Sequence, residues 1–312
     1  MPKTRFDSVT VRRYFVLSAS LLFMVIGTGS IYFLVVALKL ISAEFDWPRV
    51  IPSIAYSLQY FGAGIGGIFM GYCLDRLGMA IPALVGATMI GCGAILTTYI
   101  SNEWQLFFIY GIMMGFLGRS ALFAPLTANI TRWFEHKRGM AVGVVGSGQA
   151  LAGAIWPPIF HYFFESDGWR QTSFWYGVFA LVTMIPLGFV LRMKPPVSNQ
   201  AAPERLKKAQ PGSDGVTASL VLTPLRMHAT LSLASVGCCV AMALPLAHLV
   251  SHVSDIGYDP AQGAQILSLM LTCAAAASFF GVGFLSGRYG GLGAILIFSI
   301  AQALFLAVLA FV

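Results

Sequence analysis

The sequence predicts an all-α polytopic membrane protein, and three observations predict it. Hydrophobic residues make up 57% of the chain and charged residues only 10%, with a mean hydropathy of +0.78, whereas a water-soluble domain carries about 25% charge. Apolar runs recur at nine places, approximately 14–41, 50–74, 80–100, 104–131, 139–163, 172–193, 228–252, 262–286 and 291–312. Each approaches or exceeds the roughly 20 residues that a helix needs to cross the hydrocarbon. Basic residues collect in alternate loops between those runs. Helices satisfy every backbone group within separate apolar runs, so each run is expected to be one spanning helix.

Taken in order, residues 1–13 are polar and basic, with Lys3, Arg5, Arg12 and Arg13. The run that follows is too long for a signal-peptide core and lacks a cleavage-like end, so it is expected to be a retained first span. Six runs fill residues 1–193. Residues 194–227 contain Pro195-Pro196, Pro203, Pro211-Gly212 and the basic stretch Glu204-Arg205-Leu206-Lys207-Lys208, the composition of a flexible linker. Three further runs occupy 228–312. With the N-terminus inside, the inner segments hold 15 Lys and Arg and the outer ones 3 (Lys39, Arg49 and Arg170). That imbalance predicts a cytoplasmic N-terminus in a cell (plasma or inner) membrane.

Several function classes drop out. The formal charge of +7 is spread over short loops rather than gathered in a patch, which argues against nucleic acid; the basic linker fits contact with anionic lipid instead. Cys73, Cys92, Cys238, Cys239 and Cys273 lie in or at the ends of apolar runs without a C-x-x-C pair, so they read as small core hydrophobes. No phosphate-binding loop, nucleophile elbow or H-E-x-x-H occurs, so neither an enzyme nor a cofactor is expected. His248, His252 and Asp255 share ligand-like helical spacing, but they fall at a span end where polar residues are ordinary, and no metal is expected.

Two turns punctuate the chain. Gly71-Tyr72-Cys73-Leu74-Asp75-Arg76-Leu77-Gly78 lies between the second and third runs, and Gly283-Phe284-Leu285-Ser286-Gly287-Arg288-Tyr289-Gly290 follows the eighth. The offset carrying Gly71 onto Gly283 also carries Pro48 onto Pro260 and Ser42 onto Ser254, which reads as an internal duplication. Six runs, a linker and a second copy of the turn resemble the major facilitator superfamily of secondary transporters. Further stretches resemble its monocarboxylate-porter and oxalate/formate-exchanger branch: Glu44-Phe45-Asp46-Trp47-Pro48-Arg49, Arg132-Trp133-Phe134, Lys137-Arg138-Gly139-Met140-Ala141, Gly168-Trp169-Arg170 and His248-Leu249-Val250. The resemblance implies a helical bundle of twelve spans, of which about nine are expected here. It also implies a C-terminally truncated or fragmentary chain, with 228–312 as the start of a second bundle. It further implies alternating access driven by a proton or exchange gradient, with the Gly71, Asp75, Arg76, Gly78 turn latching the inner side. The Asp75 partner would then lie in a late helix of the other half. The copy at Gly283, Arg288 and Gly290 has Gly287 in place of the acid and would latch more weakly.

Arg119 is the sharpest candidate for substrate contact. It sits mid-span in the run from Gly111 to Pro125, and no acid lies inside any run to neutralise it. A charge there costs about 2.5–3.5 kcal/mol on insertion scales, so it is expected to face a cavity or partner, and its planar fork suits a carboxylate. Tyr32, Tyr56, Gln59, Asn129 and Trp156 are the accompanying candidates, Tyr32 favoured because the first helix lines the cavity in the resembling family. His248 and His161 are candidates for proton coupling. The resembling family also carries an arginine in the eighth span, where this chain reads Ala277-Ser278-Phe279-Phe280-Gly281. Gly139, Gly143, Gly146, Gly148 and Gly153 are expected mostly on one packing face, with Pro157-Pro158 breaking the fifth helix near its outer end. The expected protein is a monomeric secondary transporter of a small organic anion. The alternatives are an exporter of another small molecule and a truncated, non-transporting binding or regulatory protein.

Overall fold

Long apolar runs become long helices in the computed structural model, which describes residues 8–134, 138–193, 224–255, 257–278, 293 and 296–304, with only some of the side chains in 224–255. Helix α1 is Ser8–Phe45, about 57 Å at 1.5 Å per residue. It stops where Asp46 takes φ 53 and Pro48 follows. Helix α2, Val50–Leu77, ends at Gly78, whose φ of 80 favours glycine and whose N–H donates back to the Leu74 carbonyl at 3.0 Å. Helix α3 is Ala80–Thr97. Asn102 caps the fourth helix by accepting from the Gln105 N–H at 3.0 Å.

That fourth helix, α4, spans Glu103–Trp133 in changing registers. Glu103–Phe107 is α-helical, Phe108–Gly118 π-helical, Arg119–Ala121 a 3₁₀ turn, and Phe123–Trp133 α-helical again. Pro125 has no N–H to reach the Ala121 carbonyl, so a continuous α ladder cannot cross this point.

Arg138–Val190 is one helical stretch interrupted at Gly168, where φ 78 and ψ 162 fold it back on itself. We term 138–167 α5 and 169–190 α6. Their antiparallel pairing brings Trp156 and Phe160 of α5 within 5.2 and 5.3 Å of Tyr176 of α6, ring centre to ring centre. Pro157 and Pro158, expected to break the fifth helix, do not: α5 continues past them and the break falls at Gly168. A proline tolerated within a membrane helix gives up one ladder bond, whereas a positive φ redirects the chain. Gly143, Gly148 and Gly153 are buried as expected, but a side chain at Gly146 would meet nothing within 4 Å, so the packed face is narrower than expected. Cys92, Cys239 and Cys273 also correct the core assignment, being exposed on the bundle surface.

Beyond residue 223, α7 is Pro224–Asp255 and α8 is Pro260–Ala276, the latter capped by Asp259, which accepts from the Ala261 N–H at 2.9 Å. Among the described residues every element is helical, and helix lies on all nine apolar runs. Four stretches are long and apolar enough to cross a membrane by length and composition: Thr10–Phe45, Ala80–Thr97, Glu103–Trp133 and Arg138–Val190, the last containing α5 and α6.

The helices alternate in direction, so Glu44 marks one end of the bundle and Asp75 the other. Two apolar cores sit between those ends. Near Glu44, Phe33, Tyr110, Phe160 and Tyr176 pack with Leu246 and Val250 of α7 and Leu267 and Leu271 of α8. Near Asp75, Phe23, Leu126, Ile130, Trp133 and Val145 pack among themselves. Helices α2 and α4 approach each other closely. A Cβ on Gly62 would lie 2.2 Å from the Gly111 carbonyl oxygen, and one on Gly66 2.1 Å from that of Phe116, so only glycine permits this approach.

Candidate functional site

Arg119 occupies the junction where the π-helical segment of α4 tightens into the 3₁₀ turn. Irregular backbone at membrane depth survives only when buried in protein, and π segments recur at functional sites. Here the wide turn lies against α2, which brings the Tyr60 ring under the guanidinium, 4.2 Å from its carbon. A desolvated cation–π contact contributes about 2 kcal/mol and so offsets much of the cost of placing the charge. No described carboxylate pairs with Arg119, and its Nη1 is buried without a hydrogen-bond partner. The fork is therefore held by a ring face while one donor stays open.

Two further tyrosines close around this cation. The Tyr56 hydroxyl contacts that of Tyr60 at 3.4 Å, with the rings 5.0 Å apart. Tyr32 and Tyr56 belong to one buried cluster, and Tyr60 packs against it. Tyr32 is fixed from the far side: its hydroxyl donates to the Gln149 carbonyl of α5 at 3.4 Å and fills the space that a Cβ on Gly153 would need, 2.6 Å away. Sequence reasoning named Arg119, Tyr32 and Tyr56, and the fold brings them together. It missed Tyr60, although Tyr56 and Tyr60 are spaced i, i+4 on one face of α2, a signal that was present.

The remaining candidates make other contacts. Gln59 is fully buried and donates through Nε2 to Ser30 Oγ of α1 at 3.2 Å, leaving its Oε1 without a partner. Trp156 commits its N–H to the Val25 carbonyl at 2.9 Å and stacks on Phe160, so it is a packing residue of α1 and α5. Asn129 is buried with Nδ2 unpartnered, but it lies ten residues beyond Arg119 on α4, about 15 Å along the axis. His161 faces Glu165 one turn on, at 3.7 Å. The His248 side chain, Gly283, Arg288 and Gly290 lie outside the described residues.

At the Asp75 end, Asp75 accepts from Arg132 Nη2 of α4 at 2.6 Å. This partner lies within the same half; the late helix in which the resemblance placed a partner lies outside the described residues. Arg76 lies over the Tyr72 ring at 4.8 Å, Gly78 makes the turn, and Gly71 has open space beside it. At the opposite end, Glu44 accepts from Trp169 Nε1 and, at 2.8 Å, from Arg170 Nε, while Arg170 also donates to the Thr98 and Ile100 carbonyls. That network pins the α5–α6 turn to α1 and α3.

Comparison with known proteins gives the context for this geometry. The family model described as Major Facilitator Superfamily matches residues 18–312. Monocarboxylate transporter 13 of Bos taurus is 27% identical over 254 residues, covering 80% of this chain and 55% of that protein. MFS-type transporter 1 of Ophiocordyceps sp. is 26% identical over 241 residues, 75% of this chain and 49% of that one. MFS-type transporter pynF of Aspergillus niger is 30% identical over 140 residues, 45% of this chain and 32% of its own. The chain spans about half the length of the first two.

Proposed function

Since this chain belongs to the major facilitator superfamily, we propose that it serves the movement of a small organic anion, a carboxylate, across a cell membrane by alternating access. The observation that carries this reading is Arg119, a guanidinium at membrane depth with no acid beside it among the described residues and one buried donor free. A carboxylate arriving there would meet the open side of the fork while Tyr60 holds the other face. Tyr32 and Tyr56 would shape the space around it. The similarity to a protein named as a monocarboxylate transporter supports the same substrate class. The charge bias of the loops supports a cytoplasmic Asp75 end and an external Glu44 end. Coupling would run through a proton or exchange gradient, with His161 and His248 as the groups to examine first.

A second reading is export of a different small molecule; the fungal relatives are named only as MFS-type transporters. Counterflow in proteoliposomes with a panel of labelled mono- and dicarboxylates separates the two. Arg119→Gln is expected to weaken the apparent affinity for the transported anion roughly tenfold or more, the worth of one buried charge-assisted hydrogen bond. Unchanged affinity in that variant would remove Arg119 from the substrate site.

A further inference from the structure

One carboxylate joins the two parts of the chain on either side of residues 194–227. Asp255, at the end of α7, accepts from Arg49 Nη1 at 2.8 Å and Nη2 at 3.1 Å, a bidentate grip, and from Lys39 Nζ at 2.8 Å. Lys39 belongs to α1 and Arg49 opens α2, so three helices meet on one side chain. The cluster borders a cleft of about 490 Å³, also lined by Ser53, Ser57 and His252. Apolar contacts lie directly beneath. Leu246, Val250 and Leu271 pack into the core near Tyr32 and Phe33, and the Ser268 hydroxyl of α8 donates to the Ala154 carbonyl of α5. Farther from this end, Leu233, Val236 and Val240 share one face of α7 and are more than half exposed. Among the described residues, α7 therefore joins the first six helices at the Glu44 end.

We propose that Lys39, Arg49 and Asp255 form an ionic clasp that holds the Glu44 end closed in this conformation and must part before that end opens. Exposed ion pairs add little to folding, so this cluster acts as a bias between two arrangements of the same helices. A bidentate guanidinium also imposes orientation, which a lone lysine does not. The inference rests on alternating access only for the meaning of opening, because its readout is a distance and needs no solute.

The test is pulsed electron paramagnetic resonance on the full chain in nanodiscs, with the natural cysteines replaced and spin labels at Tyr99→Cys and Tyr258→Cys. Both sites are exposed, one on each side of the clasp. Asp255→Asn is expected to raise the population at longer distance about fivefold, and Lys39→Gln to raise it less. Exchanging the charges, Arg49→Asp with Asp255→Arg, is expected to return the distribution toward that of the parent. An Asp255→Asn distribution identical to the parent's overturns the clasp. So does a charge exchange as open as Asp255→Asn with an unchanged melting temperature. A clasp that responds as expected in a protein with no counterflow leaves the clasp standing and removes the transport reading.

Discussion

Arg119 illustrates how a residue's neighbours decide what its charge can do. An arginine at membrane depth must find electrons somewhere, and here the Tyr60 ring supplies them through its face without occupying the fork. That division separates ring from hydroxyl experimentally. Tyr60→Phe keeps the face and is expected to stay within about 0.5 kcal/mol of the parent in thermal unfolding. Tyr60→Leu removes the face and is expected to cost about 1–2 kcal/mol. Equal losses in the two variants would show that the hydroxyl contact with Tyr56 holds the site instead. Arg119 was legible in the sequence because a lone span-interior charge stands out, whereas Tyr32 and Tyr56 were two of five tyrosines in the first two runs. Trp156 was not separable from them, since a sequence does not say whether an indole N–H is already spent on a carbonyl such as that of Val25.

At the scale of the element, α4 is held in its unusual register by what lies against it. The α2 glycines Gly62 and Gly66 let the α4 backbone approach to contact distance, and Gly111 and Gly115 return the favour from the α4 side. Gly66→Val would drive a branched side chain into the Phe116 carbonyl and is expected to cost about 3 kcal/mol or more. Gly64→Val, two residues away with open space around its Cβ position, is expected to cost less than about 1 kcal/mol. Comparing the melting temperatures of the two purified variants checks this, and similar losses would refute the close α2–α4 contact. Glycines and Pro125 are plain in the sequence, yet the π register is not. Register depends on which helix packs where, and glycine spacing alone fits several partners.

Across the whole molecule, the ends of the bundle are joined by different means. The Asp75–Arg132 pair closes within one half, whereas Asp255 reaches across from α7 to α1 and α2. The Arg49 fork, and then Lys39, hold the Asp255 carboxyl well below the ordinary value of 3.8. A group so depressed contributes fully above its ordinary value, and the contribution is lost as pH falls through the lowered one. With His252→Gln removing the other titrating side chain that lines the cleft, the distance between labels at residues 99 and 258 is expected to stay constant from pH 8 to about pH 4. It should lengthen only in stronger acid. Lengthening between pH 7 and 5 in that variant would place the pH-sensitive group elsewhere.

The sequence by itself determined the helical class, the alternation of apolar runs with polar turns, and the family. These follow from composition and local order, because a membrane demands long uncharged helices and short polar turns whatever their arrangement. It also singled out Arg119, because an uncompensated charge is conspicuous in one dimension. Tertiary structure alone decided that Tyr60 is the partner of that charge, that Asp75 pairs with Arg132, that Gly168 rather than the Pro157-Pro158 pair turns the chain, and that Lys39, Arg49 and Asp255 converge. Each of these joins segments far apart in sequence or selects among equivalent breakers. Contact across a bundle depends on how helices rotate and stack, and that geometry is a property of all of them together.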